Sequence, residues 1–133
     1  MIVLLQKVTV GLRPDAPNKE IPANAVGPTN WCAYSLWRQL AGEKEIEFSQ
    51  VIQVLWPNKS EFLKRSVQFR FGDQKGHNVL VNIAGFPIGQ AGEITVNMWL
   101  ERESQRIGDI HSWTIEVEHK PHDPNSEKIE AFT

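Results

Sequence analysis

The chain has 133 residues, of which 41% are hydrophobic and 23% are charged, a composition typical of one globular domain. Its formal charge is −2, and it has no basic stripe interleaved with aromatic residues, which argues against nucleic-acid binding. No apolar stretch approaches the roughly 20 residues of a membrane span, and the one cysteine, Cys32, favours a reducing cytoplasm.

The first thirty residues predict a strand followed by a long loop. Residues 2–10 carry apolar side chains on both faces of an extended segment, which is typical of a strand buried on both sides. Residues 11–30 are rich in proline, asparagine and glycine without a sustained period, as expected for a loop.

Residues 31–41 fit two interpretations. In a helix, Asn30 would be the N-cap and Gly42 would end the helix. In a strand, alternate side chains would lie on opposite faces, with Cys32, Tyr34 and Leu36 on one and Trp31, Ala33 and Trp37 on the other. Local signals favour the helix, whereas the all-β setting favours the strand, which we prefer.

The rest of the chain alternates between apolar and polar residues, with polar turns in between. Residues 46–56 predict a strand whose alternation changes phase at Ser49 and Gln50, which indicates a bulge. Residues 60–65 fit either one helical turn or an edge segment. Plain alternation then predicts further strands, at residues 66–71, 79–83, 94–100 and 113–117.

About seven short strands with polar turns predict an all-β fold, a single antiparallel β-sandwich of immunoglobulin-like or jelly-roll-like type. We expect this domain to span residues 1–119. Residues 120–133 are polar and without period, which predicts a poorly ordered C-terminal tail. A short helix within residues 30–42 or 60–65 remains the alternative at those two places.

The order of segments between residues 66 and 118 resembles that of a family of small bacterial proteins of unknown function. The resemblance rests on the Gly85-Phe86-Pro87-Ile88 step, the strand entered through Gly92 and the closing strand from Trp113 to Val117. The Leu55-Trp56-Pro57-Asn58 turn and the early Gly27-Pro28 step also match. The resemblance implies a β-sandwich and a strand at residues 31–38, and it implies no functional residue.

The histidines and the cysteine predict no catalytic residue, metal or cofactor. His119 and His122 lie on either side of Pro121, where the predicted tail begins, and two histidines are too few fixed ligands for zinc. His77 and His111 have no nucleophile paired to them by a motif. Cys32 lies between Trp31 and Ala33, which predicts a buried and unreactive thiol.

The tryptophans are the feature that points most directly to binding. Trp113 shares its face with Ile115 and Val117 and is expected in the core. Trp99 falls on the opposite face from the apolar set of its strand, together with Asn97, so it is either covered by a loop or a contact anchor. The candidate binding residues are Trp99, Asn97, Trp31 and Trp37.

These observations predict a non-enzymatic sandwich that acts through protein contact, with an unknown protein partner or in a homo-oligomer. The alternative is a small-ligand or carbohydrate-binding sandwich that uses its tryptophan faces with nearby asparagines. A third hypothesis, from another class, is an enzyme whose residues converge from loops.

Overall fold

The computed structural model describes residues 4–12, 21–121 and 129–132, which form eight β-strands. The strands are β1 (Leu4–Leu12), β2 (Val26–Arg38), β3 (Phe48–Leu55), β4 (Glu61–Phe69), β5 (Gly76–Pro87), β6 (Gly92–Arg102), β7 (Gln105–Pro121) and β8 (Ile129–Phe132). This described part of the chain contains no helix long and apolar enough to cross a membrane.

Two sheets of unequal width pack against each other. The larger sheet has six strands in the order β4-β3-β6-β7-β1-β8, and the smaller sheet consists of β2 and β5. Neighbouring strands are antiparallel, except that β1 and β7 pair in parallel. The predicted all-β sandwich is therefore confirmed, although the alternation of the sequence did not indicate how unevenly the strands divide.

The core lies between the sheets, because every second side chain of a strand points to the same face. It contains aliphatic and aromatic side chains from β2 to β7, among them Ala33, Phe48, Ile52, Val54, Phe69, Val79, Val81, Ile83, Phe86, Ile94, Val96, Ile115 and Val117. Trp113 is partly buried against this core, as predicted.

Both ambiguous segments are strands. Residues 31–38 belong to β2, which pairs with β5 along its length, so the strand interpretation is right and the helix is wrong. Pairing with β5 gives this segment the backbone hydrogen bonds that a helix would otherwise have supplied. Residues 61–65 open β4, the edge strand of the larger sheet, so the edge interpretation of that segment is right.

The predicted bulge at Ser49 and Gln50 is wrong. β3 pairs with β6 from Ser49 to Leu55 without a register shift. The alternation changes phase in the sequence because Gln50, a polar residue, faces the core and is only 1% exposed. Sequence periodicity treats an inward glutamine as a break in the apolar face.

The segments predicted as a long loop and as a tail both contain strand residues. The predicted loop at 11–30 is shorter, because β1 continues to Leu12 and β2 begins at Val26; residues 13–20 lie outside the described residues. Of the predicted tail, Lys120 and Pro121 belong to β7, and Ile129–Phe132 pair with β1 as β8. Residues 122–128 and 133 lie outside the described part of the chain.

Candidate functional site

Trp99 lies on the outer face of the larger sheet, opposite Val51 of β3. The ring is 9% exposed, and its Nε1 donates a hydrogen bond to Glu101 Oε2 at 2.8 Å. Lys64 Nζ lies 5.7 Å from the ring centroid, within the range of a cation–π contact. The sequence correctly predicted that Trp99 lies on the side of β6 opposite the apolar residues of that strand. Because of these contacts, only a small part of the ring surface is accessible to a partner or ligand.

Asn97, the second candidate on that face, is held at both ends of its amide. Its Nδ2 donates to Gln53 Oε1 at 3.3 Å, and its Oδ1 accepts a hydrogen bond from Ser112 Oγ at 2.6 Å. These bonds connect β3, β6 and β7 across the outer face. Asn97 therefore has a clear role in joining neighbouring strands.

Trp31 and Trp37 lie on the inner face of β2 and pack against the core. Trp31 Nε1 donates to the Gly85 carbonyl at 2.8 Å, and its ring contacts Phe86 edge to face at 5.3 Å. Trp37 meets His111 edge to face at 5.9 Å. These two tryptophans and Trp99 are thus on opposite sides of the larger sheet, and the structure does not bring them together into one aromatic groove.

A polar cluster that the sequence did not predict lies between the sheets around Gln50. Gln50 Oε1 accepts hydrogen bonds from Ser35 Oγ and from Trp37 Nε1, both on β2. Its Nε2 lies 3.8 Å from Met98 Sδ on β6. Because all polar atoms of the buried amide have partners, this cluster is structural in character.

The prediction that Cys32 is buried is wrong, because its side chain is exposed. It shares a face with Tyr34 and Leu36, and this face points away from the larger sheet. The core cannot reach that side of β2, because the smaller sheet has no layer of described residues over it. Apolar residues on both faces of β2 made the buried side impossible to identify from sequence.

We call this outward surface of β2 and β5 the open face. Its side chains are Asn30, Cys32, Tyr34, Leu36, Asn78, Leu80, Asn82 and Ala84. None of these side chains is charged, and the charged residue Arg38 continues the same outward set at the end of β2. Three large side chains project from the face: Leu36 is 65% exposed, Leu80 56% and Tyr34 44%. The signal in the sequence was Leu80, an apolar residue between Asn78 and Asn82 in the outward set of its strand.

Four open-face residues also line a depression of about 540 Å³ next to these projections. They are Asn30, Cys32, Asn82 and Ala84. Arg65 of β4 lies at the margin of the depression, where its Nη1 donates to the Asn82 carbonyl at 2.9 Å. The open face thus combines a raised apolar part with a recessed part of small and amide side chains.

The described histidines make separate contacts. The His77 ring stacks on Phe69 with centroids 4.6 Å apart, and His119 Nε2 donates to the Ile88 carbonyl at 2.6 Å. Within residues 21–120, where the site side chains are described, no three His, Cys, Asp or Glu residues are grouped as metal ligands would be. His122 lies outside the described residues.

We compared the chain with known protein families, curated proteins and solved structures. No protein-family model matches the chain, and neither the curated proteins nor the solved structures contain a match.

Proposed function

We propose that the protein self-associates, with the open face of one copy packed on the open face of a second copy. The observation that supports this proposal is the uncharged apolar surface formed by Tyr34, Leu36 and Leu80. The outer face of an antiparallel sheet is ordinarily polar where it meets water. Burial of exposed large apolar side chains is the main favourable term in protein association.

A second copy is a suitable partner because the face is complementary to itself. In a twofold dimer each copy presents the same surface, so the projecting side chains of one copy can enter the depression of the other. The projecting part of the open face carries no charge, so Tyr34, Leu36 and Leu80 of two copies can pack together without like charges between them.

The size of the face sets the strength of the interaction. Two neighbouring strands span only about 10 Å, so the interface is small and falls in the class of weak, concentration-dependent contacts. We therefore expect a dimer that dissociates on dilution.

The alternative of carbohydrate binding on the outer face of the larger sheet has less support, because Trp99 is buried and the amide of Asn97 is engaged. The cytoplasm remains the proposed compartment, since an exposed free thiol such as that of Cys32 persists best in reducing surroundings. The resemblance to small bacterial β-sandwich proteins stays a prediction.

Sedimentation equilibrium from micromolar to millimolar protein tests the dimer. The wild type should pass from monomer to dimer in this range, and the double variant Leu36→Thr/Leu80→Thr should weaken association at least about tenfold. Because both leucines are exposed, the variant should keep the melting temperature of the wild type.

The matched control is Ile110→Thr, which removes an equally apolar side chain, 43% exposed on β7, away from the open face. Ile110→Thr should dimerise like the wild type. A wild type that stays monomeric throughout, a double variant that dimerises normally, or an equal loss in the control would each overturn the proposal.

A further inference from the structure

A groove of about 450 Å³ lies at one end of the sandwich, between the end of β2 and the β6–β7 hairpin. Its volume is in the range of small-molecule sites. The groove shares no lining residue with the depression of the open face. From β2 it takes the inward-facing Trp37 and the terminal residue Arg38, and from β6 and β7 it takes residues near the turn that joins them. The self-association proposed above does not depend on it.

The floor of the groove is apolar. Trp37, Phe48, Phe71 and Leu100 line it, and Phe48 and Phe71 are almost fully buried beneath the surface. The Trp37 ring is fixed in place, since its Nε1 donates to the buried Gln50 Oε1. The floor therefore offers a preformed surface for one apolar side chain or ring.

The rim carries charges of both signs. Arg38 and Arg102 are positive, and Glu43 and Asp109 are negative. Glu43 is already engaged, because its Oε1 accepts a hydrogen bond from the backbone N–H of Leu40 at 2.8 Å. Among the residues that the structure describes, Arg38, Arg102 and Asp109 have neither a hydrogen bond nor an ion pair to another side chain.

We propose that this groove binds a small zwitterion with an apolar side chain, such as a free aromatic amino acid. The apolar side chain lies on the floor beside Trp37. The guanidinium groups of the rim bind the carboxylate, a pairing that a planar guanidinium can make with two parallel hydrogen bonds. Asp109 accepts hydrogen bonds from the ammonium group. A rim of one sign only would instead have favoured a simple anion or cation.

Titration with L-phenylalanine, followed by ¹H–¹⁵N spectra, tests this site. The indole N–H of Trp37 and the backbone amides of Gly108 and Asp109 should shift and saturate. The indole N–H of Trp99, on the outer face of the larger sheet, should not shift. A small ligand in an open groove is expected to bind with a dissociation constant in the millimolar range.

Two derivatives of phenylalanine test the contributions of the carboxylate and of the ammonium group one at a time. L-phenylalanine amide lacks the carboxylate and N-acetyl-L-phenylalanine lacks the ammonium group, so each should bind at least about threefold more weakly, as expected when one exposed ion pair is lost. Arg102→Gln should weaken binding of phenylalanine but not of its amide. Asp109→Asn should weaken binding of phenylalanine but not of the N-acetyl derivative.

The control is Arg106→Gln, which removes an exposed arginine of the same hairpin that does not line the groove. It should bind phenylalanine like the wild type. The proposal is overturned if no saturable shift occurs, if the three compounds bind equally, or if Arg106→Gln weakens binding as much as Arg102→Gln. None of these results depends on whether the open face dimerises.

Discussion

The indole of Trp37 and the side-chain amide of Gln50 join the two sheets by a hydrogen bond inside the sandwich. The same amide oxygen accepts a hydrogen bond from Ser35, so the smaller sheet is fixed to β3 by two donors at one buried acceptor. An apolar core alone would tolerate small shifts of one sheet over the other. A satisfied polar cluster of this kind favours one alignment of the sheets.

Replacing Gln50 with leucine should lower the free energy of unfolding by about 1–3 kcal/mol, because the half-buried indole N–H of Trp37 would lose its acceptor and Ser35 would keep only its longer hydrogen bond to the Val79 carbonyl, at 3.5 Å. Urea denaturation measures this change. The control Gln68→Leu alters an exposed glutamine of β4 and should change stability by less than about 0.5 kcal/mol. Equal stability of both variants would contradict the proposed role of the cluster.

Trp99→Ala should destabilise the protein by about 3 kcal/mol, because it removes a large buried ring that packs beside Val51 and Lys64. Thermal unfolding followed by circular dichroism measures the loss. Leu80→Ala, at an exposed position, should change stability by less than about 1 kcal/mol. An unchanged melting temperature for Trp99→Ala would instead support the contact-anchor interpretation.

Substitutions in the turn between β6 and β7 should make the protein more stable. Glu103 and Ser104 have φ values of 52° and 65°, a region that asparagine and glycine occupy with less strain in two-residue hairpin turns. The double variant E103N/S104G should therefore raise the free energy of unfolding by about 1 kcal/mol. Ser66→Gly, in the extended backbone of β4, should lower it by about 0.5–1 kcal/mol. A turn variant that is less stable than the wild type would rule out strain at this turn.

Deletion of residues 122–133 removes β8 and leaves the edge of β1 without a partner. We expect a loss of about 1–3 kcal/mol in the free energy of unfolding from the lost backbone hydrogen bonds, and more aggregation through the open edge. Urea denaturation and light scattering measure the two effects. Deletion of Thr133 alone is the control. Full stability of the shorter chain would support the unstructured tail that the sequence predicted.

The sequence predicted the strands best where the apolar residues alternate regularly. Val79, Val81 and Ile83 all point into the core, and Ile94 and Val96 do the same in β6. β7 is longer than the predicted segment at 113–117. The prediction missed its first residues, 105–112, because they are exposed and show no apolar alternation. A strand without a buried face gives no periodic signal, so its length is set by pairing with β6.

The sequence could not show which face of β2 is buried, nor which strands belong to the same sheet. Tyr34 and Leu36 are as apolar as the inward residues of β2, so periodicity could not identify the outward side. The partners of β1 are distant in sequence, and local patterns do not encode such pairings. Gln50 shows a related limit, since its burial depends on donors that two residues of another strand supply.

The strand order also has a consequence for how the chain folds. β1 pairs only with β7 and β8 among the described strands, and Leu4–Leu12 are separated from those partners by most of the chain. Contacts between distant segments form slowly, because a long loop must close before any interaction is gained. During synthesis β1 therefore emerges from the ribosome long before β7 and β8, and it stays unpaired until those strands have been made.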